Sequence, residues 1–157
     1  MTEPEFLSLI EQHQGLIHKL CRLYRDTPED REDLFQEIVY QLWRSKQRFE
    51  QRAKVTTWMY RVGLNTALAS LRQKAPRLHY PGTLPEQTDA PDENLLVRQE
   101  QLLWALKQLN EADRSLIALY LEDISYQEIA EITGLSVGNV GVKLNRIKKK
   151  IQNLLTS

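Results

Sequence analysis

Residues 125–151 read SYQEIAEITGLSVGNVGVKLNRIKKKI, and this segment determines how the C-terminal half of the chain folds. Ser125 followed by Glu128 has the spacing of a capping box, which predicts that a helix begins here. Gly134 is expected to end that helix, because glycine adopts the left-handed conformation that other residues resist. Ser136 then predicts the N-cap of a second helix. The segment therefore predicts two helices joined by a tight glycine turn.

The second of these helices is predicted to have one apolar side and one polar side. Its apolar residues follow a single helical stripe, formed by Val137, Val140, Leu144, Ile147 and Ile151. Polar and basic residues lie roughly opposite, again at helical spacing, namely Asn139, Lys143, Arg146 and Lys150.

Two helices, a tight turn and a basic outer face are typical of the helix-turn-helix, which inserts its second helix into the major groove of DNA. Ser136 and the helix N-terminus suit a backbone phosphate, Asn139 suits a base edge, and the basic side chains suit phosphates. An ordinary helical hairpin with a basic surface is the alternative. The pattern alone leaves both interpretations open.

Outside this segment the sequence is also helical in pattern, with apolar residues three or four positions apart. Three helices are predicted before residue 75. Residues 76–92 contain four prolines and an excess of acidic residues, which predicts a linker. We therefore predict an all-α protein with two small helical domains, residues 1–75 and 93–157, joined by a proline-rich acidic linker.

The composition of the 157 residues bounds the class of protein. With 41% hydrophobic and 27% charged residues, the chain can bury a core and is not disordered by composition. No apolar run approaches the roughly 18 residues of a membrane span, and the N-terminus lacks the features of a signal peptide. The single Cys21 excludes an internal disulfide framework. These features predict a cytoplasmic protein without membrane insertion.

The net charge is zero, from 21 basic and 21 acidic residues, but the charges are segregated along the chain. Residues 26–37 have six acids and one base, residues 44–77 have nine bases and one acid, and residues 139–157 have five bases and no acid. Screening confines charge effects to about 8–10 Å, so each basic block can bind phosphate despite the neutral total. Solvated helix faces are the alternative.

Two surfaces of the N-terminal half are candidates for binding. One side of the third helix has an aromatic residue, two basic residues and an amide, namely Trp58, Arg61, Asn65 and Arg72. An aromatic ring beside basic residues suits unstacked single-stranded bases. A Trp58 buried in the core is the alternative. The second helix has an outward acidic patch beside Leu34 and Trp43, formed by Asp33, Gln36, Glu37 and Tyr40. That patch either serves solubility or docks a basic partner helix.

No constellation of residues in the sequence indicates an enzyme. There is no glycine-rich phosphate-binding loop, and His13, His18 and His79 lie apart from any plausible nucleophile. His18 and Cys21 can share a helix face, but two ligands fall short of the three or four of a zinc site, and core packing explains them better. We therefore expect no catalysis, metal, cofactor or small-molecule substrate.

Several segments resemble, in the correct order, the regions of bacterial RNA polymerase sigma factors. Residues 33–44, DLFQEIVYQLWR, resemble region 2.2, and residues 57–72, TWMYRVGLNTALASLR, resemble regions 2.3 and 2.4. Residues 109–114, LNEADR, residues 126–131, YQEIAE, and the helix that follows resemble region 4. Two domains with a short linker and no region 3 domain resemble the extracytoplasmic-function (group 4) class of the sigma-70 family.

The resemblance implies a role for each surface. Binding to the clamp helices of the polymerase β′ subunit is implied for Asp33, Leu34, Gln36, Glu37 and Trp43. Binding to the −10 promoter element is implied for Arg48, Phe49, Lys54, Trp58, Tyr60, Arg61 and Asn65. Binding to the −35 element is implied for Ser136, Asn139, Lys143, Arg146 and Lys150. Region 4 is also implied to contact the polymerase β flap, and an anti-sigma factor is expected as a further partner.

Two positions depart from the family pattern. Family members often have a basic residue and a small hydroxyl residue where this chain has Gly141 and Val142. Fewer direct base contacts are then available, which favours recognition through DNA shape and phosphate contacts. The alternative function is a stand-alone helix-turn-helix regulator with an N-terminal oligomerisation or effector domain. Such a regulator would bind duplex DNA by itself, at a palindromic site if it were dimeric.

Overall fold

The structure is a computed structural model that describes residues 1–49, 54–72 and 93–156. Within these ranges the regular elements are helices, and the prediction of an all-α protein is confirmed. The elements are α1 (Glu3–Tyr24), α2 (Pro28–Ser45), a 3-10 turn (Lys46–Arg48), α3 (Val55–Arg72), α4 (Glu93–Lys107), α5 (Glu111–Leu121), α6 (Tyr126–Thr133) and α7 (Val137–Thr156). They belong to two compact units, Met1–Glu86 and Gln87–Ser157. The predicted linker, residues 76–92, lies outside the described residues.

In the first unit, α1, α2 and α3 each pack against the other two. The centre of this core is formed by fully buried side chains from all three helices, among them Leu20, Ile38 and Met59. Helix α2 begins at a capped end, because Thr27 Oγ1 accepts a hydrogen bond from the Asp30 amide at 3.2 Å.

Helix α3 approaches α1 closely at Gly63. A Cβ atom at this position would lie 2.6 Å from Cδ1 of Leu20, whose side chain is fully buried. Glycine therefore permits a separation of the two helices that a larger residue would increase.

Helix α1 bends at His13, whose φ of −116° and ψ of 17° are not helical. Beyond the bend the helix is covered by both α2 and α3, so its buried residues occupy more than one stripe. They are Ile17, His18, Leu20, Cys21, Leu23 and Tyr24. The imidazole of His18 stacks on the ring of Phe35, with 4.5 Å between the ring centroids.

In the second unit α7 packs against α4, α5 and α6. Both predicted boundaries of α6 are confirmed, since Ser125 Oγ accepts a hydrogen bond from the Glu128 amide at 3.2 Å and Gly134 has a φ of 79°. Three residues of the predicted apolar stripe are buried, Val140, Leu144 and Ile147. Val137, which begins both the stripe and the helix, is 49% exposed.

Candidate nucleic-acid and protein interfaces

The outer face of α7 is a polar surface on a helix whose opposite side is anchored in the core. Ser136 Oγ accepts a hydrogen bond from the Asn139 amide at 3.2 Å and so caps the helix as predicted. The side chains of Ser136, Asn139, Lys143 and Arg146 are exposed. The structure therefore brings together four of the five side chains that the sequence assigns to the −35 element.

Two lysines near the end of this basic face have partners within the second unit. Lys150 Nζ lies 3.4 Å from Asp113 Oδ2 on α5, although the lysine side chain is half exposed. Lys148 Nζ lies over the ring of Tyr120, 4.0 Å from its centroid, and a hydrogen bond to Tyr120 raises the pKa of Lys148. An exposed ion pair contributes only about 0–1 kcal/mol to stability. Lys150 can therefore leave the Asp113 carboxylate and bind a DNA phosphate instead.

In the first unit, the residues assigned to the −10 element divide into exposed and buried groups. Arg48, Lys54, Arg61 and Asn65 are exposed, and Phe49 is half-buried. Arg61 and Asn65 lie one turn apart on α3 and form its polar flank.

Trp58 and Tyr60 are buried, with exposed fractions of 8% and 3%. The Trp58 ring packs against Phe49, with 4.8 Å between the ring centroids. The structure thus supports the core alternative for Trp58, and the assignment of Tyr60 to DNA is corrected in the same way. Both rings are buried because the first turns of α3 are packed on more than one side of the helix. They position the exposed flank of α3 and do not present free aromatic faces to bases.

On α2 most of the acidic patch is exposed, but the neighbouring Leu34 is buried. Gln36 and Glu37 are exposed and Asp33 is half-buried. Glu37 Oε1 accepts a hydrogen bond from Gln41 Nε2 at 3.0 Å. Leu34 is only 3% exposed, so its assignment to a partner surface is corrected: it packs in the core.

An apolar groove of about 370 Å³ lies between α1 and α2, beside this patch. It is lined by Glu3, Phe6, Leu7, Phe35, Gln36, Val39, Tyr40 and Trp43. The Trp43 ring meets the Phe6 ring edge-on at 5.1 Å, and Lys46 Nζ lies over the Trp43 ring. The contribution of α1 to this groove was not predicted from the sequence. The available signal was the adjacent pair Phe6 and Leu7, since both cannot face the same core stripe.

Within the described residues no group of three or more His, Cys, Asp or Glu side chains could hold a metal ion. None of the helices in that part of the chain is long and apolar enough to cross a bilayer. Cys21 is fully buried, and its burial raises the pKa of the thiol to about 12.

Comparison with known proteins finds two matched segments of the chain. Residues 9–77 match the family sigma-70 region 2, and residues 99–151 match the family sigma-70 region 4. A relative is the ECF RNA polymerase sigma factor SigW of Bacillus subtilis, 24% identical over 98% of this chain and 90% of the relative. Another is the ECF RNA polymerase sigma-E factor of Haemophilus influenzae, 28% identical over 94% of this chain and 86% of the relative.

Two solved structures share the fold. One is the sigma factor RpoE of Bartonella quintana in complex with the anti-sigma factor NepR, with a TM-score of 0.72 and 19% identity over 97% of each chain. The other is CnrH in complex with the cytosolic domain of CnrY, with a TM-score of 0.71 and 20% identity over 99% of this chain and 90% of that chain.

The chain therefore belongs to the sigma-70 family of RNA polymerase sigma factors, in its extracytoplasmic-function class. The region 2 match falls in the first compact unit and the region 4 match falls in the second.

Proposed function

We propose that this chain is a promoter-specificity subunit of bacterial RNA polymerase, which binds the core enzyme, recognises the −10 and −35 elements and assists promoter melting. The observation that carries the proposal is that sigma-70 regions 2 and 4 both occur in order in this one chain. In this role it has no chemistry of its own and acts in the cytoplasm, where the polymerase transcribes.

The surface proposed to bind the polymerase β′ clamp helices is the acidic patch of α2 together with the neighbouring groove. Asp33, Gln36 and Glu37 supply polar and negative groups for a helical partner, and the half-buried Trp43 supplies an apolar contact. Leu34 supports this surface from inside the core.

The surface proposed to bind the −10 element combines the exposed cations Arg48, Lys54 and Arg61 with Asn65. Cations attract the DNA backbone, and an amide can bind a base edge once the strands separate. Phe49, which is half-buried against Trp58, is the aromatic group best placed to meet an unstacked base.

The surface proposed to bind the −35 element is the outer face of α7, with Ser136, Asn139, Lys143 and Arg146, and Lys150 at its edge. The second unit is also proposed to contact the β flap. One solved neighbour is a sigma factor in complex with an anti-sigma factor, and the other, CnrH, is in complex with the cytosolic domain of CnrY. We further propose that an anti-sigma factor binds this chain.

In vitro transcription with purified core polymerase of the host bacterium tests the proposal. The chain should direct initiation from a subset of fragments of the host genome. Failure to bind core enzyme or to direct initiation from any fragment would contradict the proposal. Specific binding of the chain alone to a palindromic duplex would favour the stand-alone regulator.

Two sets of variants test the division of labour between the surfaces. Asp33→Lys combined with Glu37→Lys should impair binding to core polymerase, because the charge of the α2 patch is reversed. Asn65→Ala should leave core binding intact and reduce open-complex formation. Equal loss of core binding in both sets would show that the two surfaces are not separate.

A further inference from the structure

Val142 lies at the centre of the outer face of α7, with 57% of its surface exposed. It is two residues from both Val140 and Leu144, which are fully buried. Two residues of an α-helix correspond to a rotation of about 200°, so the Val142 side chain lies about 160° around the helix from each of them. It therefore projects almost directly away from the core.

The folding of the second unit does not account for a valine at this position. A β-branched side chain has a lower helix propensity than most alternatives, and its methyl groups are left in water. The neighbours of Val142 on the helix surface are Gly138, Asn139, Asn145 and Arg146, none of which is apolar. Val142 is thus an isolated apolar group in a polar, basic surface.

Gly138, one turn before Val142, has no packing role either. A Cβ atom at this position would meet nothing within 4 Å, and the φ angle of Gly138 is not positive. Gly141 differs, since a Cβ atom there would contact the Tyr126 ring at 3.6 Å. The missing side chain of Gly138 leaves a recess in the outer face of α7, which permits close approach of another molecule to the backbone.

We propose that Val142 contacts the 5-methyl group of a thymine in the −35 element and so determines part of the promoter preference. This inference rests on the proposed function. The thymine methyl is the apolar group that the four bases present in the major groove, and it is recognised by apolar side chains. The recess at Gly138 lets α7 lie deep enough for that contact. Asn139, on the same side of the helix, is placed to bind an adenine, while Lys143, Arg146 and Lys149 flank the contact with positive charge for phosphates.

The test uses the holoenzyme reconstituted from core polymerase and the full chain. Selection from promoter fragments with a randomised −35 region first yields the preferred element. Each thymine of that element, on either strand, is then replaced by deoxyuridine, which lacks only the methyl group. At one position the wild-type holoenzyme should lose about fourfold in affinity, the fold-change that corresponds to burial of one methyl group.

The variant Val142→Ala should bind the thymine and deoxyuridine promoters with equal affinity. Val97→Ala is the matched control, because Val97 is a similarly exposed valine on α4 and its replacement should leave the fourfold discrimination unchanged. Both substitutions are at exposed positions, so folding should be retained.

Three outcomes would overturn the inference. They are a preferred −35 element without an A·T pair, wild-type affinity that is insensitive to deoxyuridine at every position, and discrimination that persists in Val142→Ala. All three leave the proposed function intact, because the holoenzyme would still select promoters. A holoenzyme that selects no promoter at all would instead contradict the proposed function.

Discussion

His18 is a buried imidazole on α1, and its Nε2 atom has no hydrogen-bond partner among the described residues. Burial lowers the pKa of this group below its ordinary value of 6.5, and the charge of Arg22 lowers it further. The neutral ring instead stacks on Phe35 in the core of the first unit. Burial likewise raises the pKa of Cys21. His18 and Cys21 are therefore core residues, and the interior disfavours the ionised form of each.

The lowered pKa of His18 predicts that the first unit loses stability in mild acid. The unfolded chain takes up a proton on this imidazole near pH 6.5, whereas the folded chain does so only at lower pH. The unfolded state therefore binds more protons as the pH falls below about 6.5, and the free energy of unfolding decreases there. Urea unfolding of the wild type and of His18→Phe, from about pH 8 to pH 5, measures this contribution.

The expected result is that the wild type loses stability relative to His18→Phe as the pH falls. Tryptophan fluorescence reports on the first unit when Trp104, on α4, is replaced by Phe in every variant, because Trp43 and Trp58 remain. Parallel profiles for the wild type and His18→Phe would contradict the assignment.

At the scale of the helices, Gly63 sets the separation of α1 and α3. In Gly63→Ala the new methyl group would lie 2.6 Å from Leu20 Cδ1, and Leu20 has no exposed surface into which it could move. Overpacking of a core typically costs about 1–3 kcal/mol, which exceeds the gain of about 0.5–1 kcal/mol in helix propensity. We expect a net decrease of about 1 kcal/mol in the free energy of unfolding, measured in urea by the fluorescence of Trp43 and Trp58. An unchanged or increased value would show that the helices separate at little cost.

The same substitution in α7 should have the opposite effect on stability. Gly138→Ala places a methyl group in open space and improves helix propensity, so it should stabilise the second unit by about 0.5–1 kcal/mol. Slower amide hydrogen exchange in α6 and α7 would measure that gain. Promoter binding by the holoenzyme should nevertheless weaken, because the methyl group fills the recess on the outer face. Unchanged promoter binding would mean that DNA does not approach α7 at Gly138.

How well each helix could be predicted from the sequence depends on how many of its sides are packed. Helix α7 contacts three helices, but its buried residues form a single stripe, so its periodicity identified the exposure of Asn139, Lys143 and Arg146. Helix α3 packs against both α1 and α2, and a single stripe could not show that Trp58 and Tyr60 are buried as well. The bend of α1 at His13 and the groove between α1 and α2 likewise depend on contacts between helices, which periodicity along one helix does not contain.

For the whole molecule, the zero net charge is the sum of opposite surfaces. The outer face of α7 exposes Lys143, Arg146 and Lys149, while α2 exposes Glu29 and Glu37. A charge that lies within the Debye length of about 8 Å of a ligand acts on that ligand individually. Attraction over longer distances depends on the net charge of the whole chain. A net charge of zero therefore reduces the long-range attraction of the free chain to DNA of any sequence. The contacts between the basic residues of α7 and DNA are still available once the polymerase has placed the chain on a promoter.

This balance predicts weak binding of the isolated chain to duplex DNA of random sequence. At about 0.15 M salt the dissociation constant should lie in the non-specific range of about 10⁻⁴–10⁻⁶ M. If Lys143, Arg146 and Lys149 contact phosphates, the logarithm of the binding constant should fall against the logarithm of the salt concentration with a slope of about −3. Fluorescence anisotropy of a labelled duplex measures both quantities. Asp33→Lys with Glu37→Lys makes the chain net positive and should strengthen this binding, although the holoenzyme is impaired. Tight, salt-resistant binding of the wild-type chain to random DNA would show that its net charge of zero does not limit non-specific binding.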